Sequence, residues 1–205
     1  MPPPVPSLIP ILVLAAGASR RMGGRDKLME PVRGQQPLIR DRAEAALNTG
    51  APVYVTLPRA DTIRRVALEG LDVTLVEVDP GPLGTSLGAG ISALPAGIPG
   101  VLILLADLPD LTSDDLRTVL NGFDGTVRRG ASAAGVAGHP VLLPRRLFDT
   151  LKQVSGDEGA RQVLKGEDVI LVPLPGDHAV TDLDTPEAWA RWRAAQSDRS
   201  SDSSL

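Results

Sequence analysis

Ile11-Leu-Val-Leu-Ala-Ala-Gly-Ala-Ser-Arg-Arg-Met-Gly-Gly-Arg-Asp-Lys-Leu28 decides how this chain is read. Its first four residues are an unbroken apolar run, and the small residues Ala15-Ala-Gly-Ala18 follow at once. An apolar run without alternation reads as a strand covered on both faces, the habit of a parallel sheet. Small residues behind it let backbone N–H groups approach a ligand closely. Arg20, Arg21, Arg25 and Lys27 then arrive within eight residues. Backbone donors beside clustered cations make a cradle for polyphosphate. A solvated basic loop is the competing reading, and the position after a buried first strand favours the cradle. The segment is not a P-loop, because Gly-Lys-Ser/Thr is missing, nor a dinucleotide fingerprint, because G-x-G-x-x-G is missing.

The same rhythm continues outward. Val101-Leu-Ile-Leu-Leu105 is a second apolar run, ending at Ala106-Asp107, and Pro52–Leu57 and Val73–Val78 are further strand candidates. Helical patterns fall between them, at Leu38–Leu47, Arg59–Glu69, Ser86–Leu94 and Leu116–Leu120, the last opened by Thr112-Ser-Asp-Asp115. Beyond residue 124, strands Ala131–Val136, Pro140–Leu143 and Asp168–Val172 surround a helical Gly159–Leu164. A final helix, Pro186–Ala195, starts at Thr185, and its Trp189 and Trp192 anchor it to the sheet. Strand–helix alternation predicts an α/β fold, a Rossmann-like three-layer α/β/α arrangement on a mainly parallel sheet. One domain over 10–195 is expected, between a Pro-rich tail (1–9) and a disordered tail (196–205). Ligands of open α/β sheets lie at the carboxyl ends of the strands, which singles out the loops starting at Ala15, Asp79 and Asp107.

Composition removes whole classes. A length of 205 residues suits one domain with a proper core. A net charge of −4 gives no general attraction for nucleic acid, and five aromatic residues (two Trp, two Phe, one Tyr) make no stacking platform for single strands. Zero cysteine excludes disulfides, iron–sulfur clusters, thiolate catalysis and cysteine-bound zinc, and fits a reducing cytoplasm. No apolar run approaches the roughly 20 residues that span a bilayer, and Met1–Pro6, with neither a basic n-region nor an apolar h-region, is not expected to be a signal peptide. A cytoplasmic protein is expected, without nucleic-acid or membrane partners.

Three further segments carry candidate chemistry. Asp107 ends a buried strand where the ligand crevice opens, although it would also cap the turn at Leu108-Pro109. Asp182 and Asp184 lie two apart, which in an extended segment points both to one side; Asp184 would otherwise help to cap the helix at Pro186. Gly84, Thr85 and Ser86 stand at a helix start suited to phosphate or a base edge, or else belong to a turn with helix-packing glycines. Asp110, Asp114 and Asp115 read as turn and helix-start residues, and His178 as exposed.

The opening segment resembles the signature L-x-G-G/A-x-x-x-R-M-G-x-x-K of the MobA-like nucleotidyltransferases, within the wider glycosyltransferase-A-like group of nucleotide-diphospho-sugar transferases. The likeness continues in order through Gly81–Gly90, Ala106-Asp-Leu-Pro109, Gly138-His-Pro-Val-Leu142, Ser155–Arg161 and Thr181–Glu187, and so covers roughly residues 10–193. Ala-Ala-Gly at 15–17 looks like the cytidine-nucleotide users, whereas guanylyltransferases typically carry Ala-Gly-Gly.

The resemblance implies transfer of CMP from CTP to the terminal phosphate of molybdopterin, with release of pyrophosphate. It implies CTP ahead of GTP as donor, Mg²⁺ as cofactor and a molybdoenzyme as possible recipient. Arg20 and Lys27 would hold the triphosphate, with Asp107 as third catalytic residue. Leu14, Ala15, Ala16, Gly17, Ser19, Gly84, Thr85 and Ser86 would line the nucleotide pocket; Asp107, Asp182 and Asp184 would hold metal. His139, Pro140, Asp157 and Arg161 would face the acceptor. No general base is needed, because a phosphate monoester with a second pKa of about 6 is already mostly ionised. Guanylyl transfer, another phosphorylated acceptor, a noncatalytic nucleotide or cofactor chaperone, and an NAD(P)-dependent oxidoreductase are the competing readings.

Overall fold

The unalternating apolar runs become the inner strands of a seven-stranded sheet. The structure, a computed structural model, describes residues 9–79, 81–154, 156 and 163–202. Strands β1 (Ile11–Leu14), β2 (Val53–Pro58), β3 (Thr74–Val78), β4 (Gly100–Leu105), β5 (Val127–Ala131), β6 (Ala137–Pro144) and β7 (Val169–Pro173) stand in the order β3-β2-β1-β4-β6-β5-β7. Only β6 runs against the others: β1 pairs parallel with β2 and β4, β2 with β3 and β5 with β7, while β6 is antiparallel to β4 and β5. The mainly parallel expectation is met.

Alternate residues of β1 feed two cores. Ile11, Val13 and Ala15 pack on one face with α1 (Leu38–Leu47), α4 (Ser113–Leu120) and α6 (Pro186–Asp202). Leu12 and Leu14 pack on the other with α3 (Leu83–Ser92) and α5 (Phe148–Lys152). Trp189 and Trp192 meet edge to face at 5.8 Å within the first core, and Trp192 Nε1 donates to Asp110 at 2.9 Å. The two tryptophans therefore anchor the last helix to the sheet, as expected.

Several boundaries differ from the sequence reading. Ile9, assigned to the N-terminal tail, is buried in the core. The strand expected at Ala131–Val136 lies earlier, at β5, because Ser132 accepts the Val136 N–H at 3.2 Å and closes a turn into β6. α2 (Thr62–Ala67) is shorter than Arg59–Glu69, since Asp61 caps it by accepting the Arg64 N–H. α3 starts at Leu83 rather than Ser86, which makes Gly84, Thr85 and Ser86 its first turn. A Cβ on Gly84 would lie 2.7 Å from the Gly156 carbonyl, so this glycine serves close packing beneath the helix. α6 runs past Ala195 to Asp202, into the segment expected to be disordered, and Gln196 extends its attachment by donating to Asp110 at 3.2 Å. Of the helix expected at Gly159–Leu164, only Val163 and Leu164 fall among the described residues, and both are helical.

Asp115 completes a capping box with Thr112 at the start of α4, as its helix-start reading requires. It also accepts from His178 Nδ1 at 2.9 Å, so His178 is a paired and half-buried residue rather than an exposed one.

Candidate active site

The chain leaves β1 toward β2 on one side, then returns through β4 on the other. Loops diverge at such a switch point and open a crevice at the carboxyl ends of the strands. A cavity of about 500 Å³ lies there. Its walls come from the three loops expected: Leu14 and Ala16–Arg21 with Lys27 after β1, Gly81–Leu83 with Ser86 after β3, and Leu105–Asp107 after β4, joined by Asp184.

Lys27 joins these loops. Its ammonium donates to Asp107 Oδ2 at 2.6 Å and to Asp184 Oδ1 at 2.5 Å. Burial alone would lower the Lys27 pKa, but Asp107 and then Asp184 outweigh it and hold it above the ordinary lysine value. Arg21 pairs with the other Asp184 oxygen at 2.5 Å, and Arg20 stands exposed in the wall. Arg25 faces out instead, 3.5 Å from Glu30. Asp107 Oδ1 is buried with no hydrogen-bond partner among the described residues. Two carboxylates sharing one cation, with a buried oxygen still unmatched, are a donor set for a hard divalent ion.

Asp182 does not join this group, and among the described residues no three carboxylate or histidine groups converge on one metal position. Thr181–Asp184 is not a strand, so the expected two-residue alternation does not bring the pair together. Asp184 reaches the first cavity and Asp182 lines a second, of about 350 Å³. Gly84 and Thr85 are likewise outside the first cavity's wall, because the helix start buries one in packing and turns the other outward; Ser86 lines it.

The residues that hold the first loop were not singled out from sequence. Thr56, fully buried in β2, accepts the Ala15 N–H at 3.2 Å. Arg64, 4% exposed in α2, donates to the Ala15 and Gly17 carbonyls at 2.6 and 2.8 Å and to both oxygens of Asp26 at 2.7 and 2.9 Å. Asp26 also accepts from Ser19 Oγ at 3.1 Å and the Leu28 N–H at 3.0 Å, and Ser19 Oγ accepts the Lys27 N–H at 3.1 Å. Burial would raise the Asp26 pKa, but Arg64, helped by Leu28 and Ser19, holds it below the usual carboxylate value. An acidic residue inside a basic run was the available signal for Asp26; Arg64, beside Arg65 in a short polar helix, carries none.

Arg42, fully buried in α1, pairs with Asp41 and donates to the carbonyls of Leu108, at 3.1 Å, and of Leu111. It braces the turn that follows Asp107. The Leu183 N–H donates to the Asp107 carbonyl at 3.2 Å, which ties the Asp184 segment to the same turn.

The second cavity shares Leu14, Leu83 and Leu105 with the first and is otherwise largely apolar, with Arg129, His139 and Asp182 as its polar residues. Pro140, joined to His139 by a cis bond, is not in its wall. Asp157 and Arg161 lie outside the described residues. Arg129, which sequence reasoning passed over, donates to the Gly138 carbonyl at 2.7 Å. Gly138 is crossed so closely by the chain that a Cβ there would lie 2.0 Å from the Ala179 carbonyl. Gly138→Ala is therefore expected to cost roughly 1–3 kcal/mol or more in urea unfolding; wild-type stability would contradict this close crossing.

A family model described as the MobA-like NTP transferase domain matches residues 11–171. The purine catabolism protein PucB of Bacillus subtilis is 29% identical over 206 positions, covering 90% of this chain and 95% of that protein. The nicotine blue oxidoreductase of Paenarthrobacter nicotinovorans is 28% identical over 193 positions, covering 88% and 94%. A crystal structure of the Mycobacterium sp. strain JC1 homologue of Mycobacterium tuberculosis Rv0371c superposes with a TM-score of 0.82 at 26% identity, covering 93% of this chain and 98% of that one. With its switch-point cavity, its first-strand loop and a match over most of its length, the chain belongs to the MobA-like NTP transferase family.

Proposed function

We propose that the chain transfers CMP from CTP to the terminal phosphate of molybdopterin and releases pyrophosphate. The observation that carries this reading is Lys27 standing between Asp107 and Asp184 in a cavity walled by the Ala16–Arg21 backbone. In the reaction an oxygen of the acceptor phosphate attacks the α-phosphorus of CTP. The bond from the α-phosphorus to the bridging oxygen breaks, and pyrophosphate leaves with the electron pair. Negative charge grows on the equatorial and leaving oxygens, so cations and geometry are what the protein must supply.

Lys27, Arg20 and Arg21, which line the cavity, would hold the triphosphate. Asp107 and Asp184 would hold Mg²⁺, which, when bound, neutralises charge on the phosphate oxygens. The base would be read by backbone groups of residues 14–17, and the resemblance of Ala-Ala-Gly at 15–17 to the cytidine-nucleotide users supports cytosine over guanine. The neighbouring cavity, with His139, Arg129 and Asp182, would take the acceptor. A molybdenum centre held by its own dithiolene would ask no thiolate of a chain that has no cysteine.

The test is pyrophosphate release by the purified chain with Mg²⁺ and each nucleoside triphosphate in turn, with and without molybdopterin. Release that depends on acceptor and is fastest with CTP is expected. Preference for GTP, or for another phosphorylated acceptor, would change the substrate and keep the chemistry; no release with any pair would overturn the reading. The relative named as an oxidoreductase motivates a second reading, which oxidation of NADPH by the chain would support. The missing G-x-G-x-x-G disfavours it.

A further inference from the structure

We propose that Arg64 is a positioning residue for the nucleotide: its guanidinium sets the direction of the loop's backbone donors and holds Lys27 in reach of the phosphates. The inference rests on the functional reading above. The fork touches both ends of the loop at once, the Ala15 and Gly17 carbonyls at the start and the Asp26 carboxylate beside Lys27 at the end. In a trans peptide the C=O and the following N–H point in opposite directions. Two carbonyls drawn onto Arg64 therefore turn the N–H groups of Ala16 and Ala18 away from it, on the stretch that walls the cavity. Both residues line the cavity, so the two N–H groups are donors for an anion or a base edge there. At the other end, Asp26 is locked by the same guanidinium and fixes Ser19 and Leu28, and Ser19 holds the Lys27 N–H.

Arg64 touches no ligand in this scheme; it acts through the loop. A planar fork is required, because a lysine is a point charge that cannot meet two carbonyls and a bidentate carboxylate together. The energetics point the same way. A buried guanidinium is costly unless every donor is matched, and here the fork is matched by the loop it holds. Asp61, 3.4 Å from Nε at the start of the same helix, would stay beside that charge if the loop swung away, but two carbonyls and a bidentate carboxylate would be lost.

The experiment compares wild type, Arg64→Met and Arg64→Lys in three measurements: hydrogen exchange of the peptide spanning 15–28, melting temperature, and affinity for CTP with Mg²⁺ by calorimetry. Arg64→Met is expected to exchange at least about tenfold faster in that peptide, with β4 unchanged, and to bind CTP at least about tenfold more weakly. Arg64→Lys is expected to regain part of the melting temperature, since Asp26 again faces a cation, without regaining CTP affinity. That split separates positioning from stability. Should Arg64→Met fail to fold, Arg64→Lys carries the test alone. CTP affinity within twofold of wild type in either folded variant would overturn the proposal, as would full recovery of affinity by lysine. If wild type itself binds no nucleoside triphosphate, the functional reading fails; the exchange of residues 15–28 still decides whether Arg64 holds the loop.

Discussion

Lys27→Met is expected to lower the turnover of nucleotide by about 10³-fold or more while raising the affinity of the free protein for Mn²⁺. The first effect follows from charge. The reaction builds negative charge on phosphate oxygens, and removing one cation that answers it costs on the order of 10³–10⁵ in related phosphoryl transfers. The second follows from where Lys27 rests. Its ammonium stands 2.6 Å from Asp107 and 2.5 Å from Asp184, in the place a divalent ion would take between the same carboxylates. The pair of aspartates holds this ammonium protonated, above its ordinary pKa. With methionine there, Arg21 still pairs with Asp184 but the cation between the two carboxylates is gone, and like charges so close favour either proton or metal uptake. Manganese titration followed by electron paramagnetic resonance measures the affinity directly, without turnover. In wild type, CTP should tighten Mn²⁺ binding, because the triphosphate offers Lys27 new partners and frees the aspartates. In Lys27→Met that coupling should shrink. Near-wild-type turnover would remove Lys27 from the triphosphate site; unchanged Mn²⁺ affinity would show that ammonium and ion do not compete for one place.

What the sequence discloses here, and what it hides, divides along physical lines. β1 and β4 were legible because burial on both faces leaves unbroken apolar runs, and the crevice followed from the rule for strand ends. The first loop was legible because four cations beside small residues have few other uses. Arg64 was not, since its worth lies in contacts 38 to 49 residues away that no local pattern encodes. The boundaries of α3 and α6 were missed for a related reason. A Gly-rich start and a Ser-rich end look unhelical by composition, yet one packs beneath Gly156 and the other is fastened through Gln196 to Asp110. Tertiary contacts override weak propensity at both.

Asp107 and Asp184 should behave as one unit and Asp182 as another, although sequence spacing pairs Asp182 with Asp184. Asp107→Asn and Asp184→Asn are each expected to lower turnover by about 10²-fold or more, with Mn²⁺ affinity in the presence of CTP falling alongside. Asparagine keeps the shape and removes the charge that both Lys27 and a divalent ion need. Asp107 has the stronger case of the two, because its Oδ1 is buried without a hydrogen-bond partner among the described residues while its Oδ2 meets Lys27. Asp184 shares its second oxygen with Arg21, so Asp184→Asn should also loosen that arginine. Asp182→Asn is expected to leave Mn²⁺ and CTP affinity within about threefold of wild type and to raise the KM for the acceptor instead, since Asp182 lines the neighbouring cavity with His139. Asparagine keeps the shape of each side chain, and circular dichroism with the melting temperature shows that the three variants are compared as folded proteins. The reverse pattern, metal affinity lost with Asp182→Asn and kept with Asp184→Asn, would mean that the segment Thr181–Asp184 rearranges when the nucleotide binds, and would return the metal site to the pairing that spacing alone suggests.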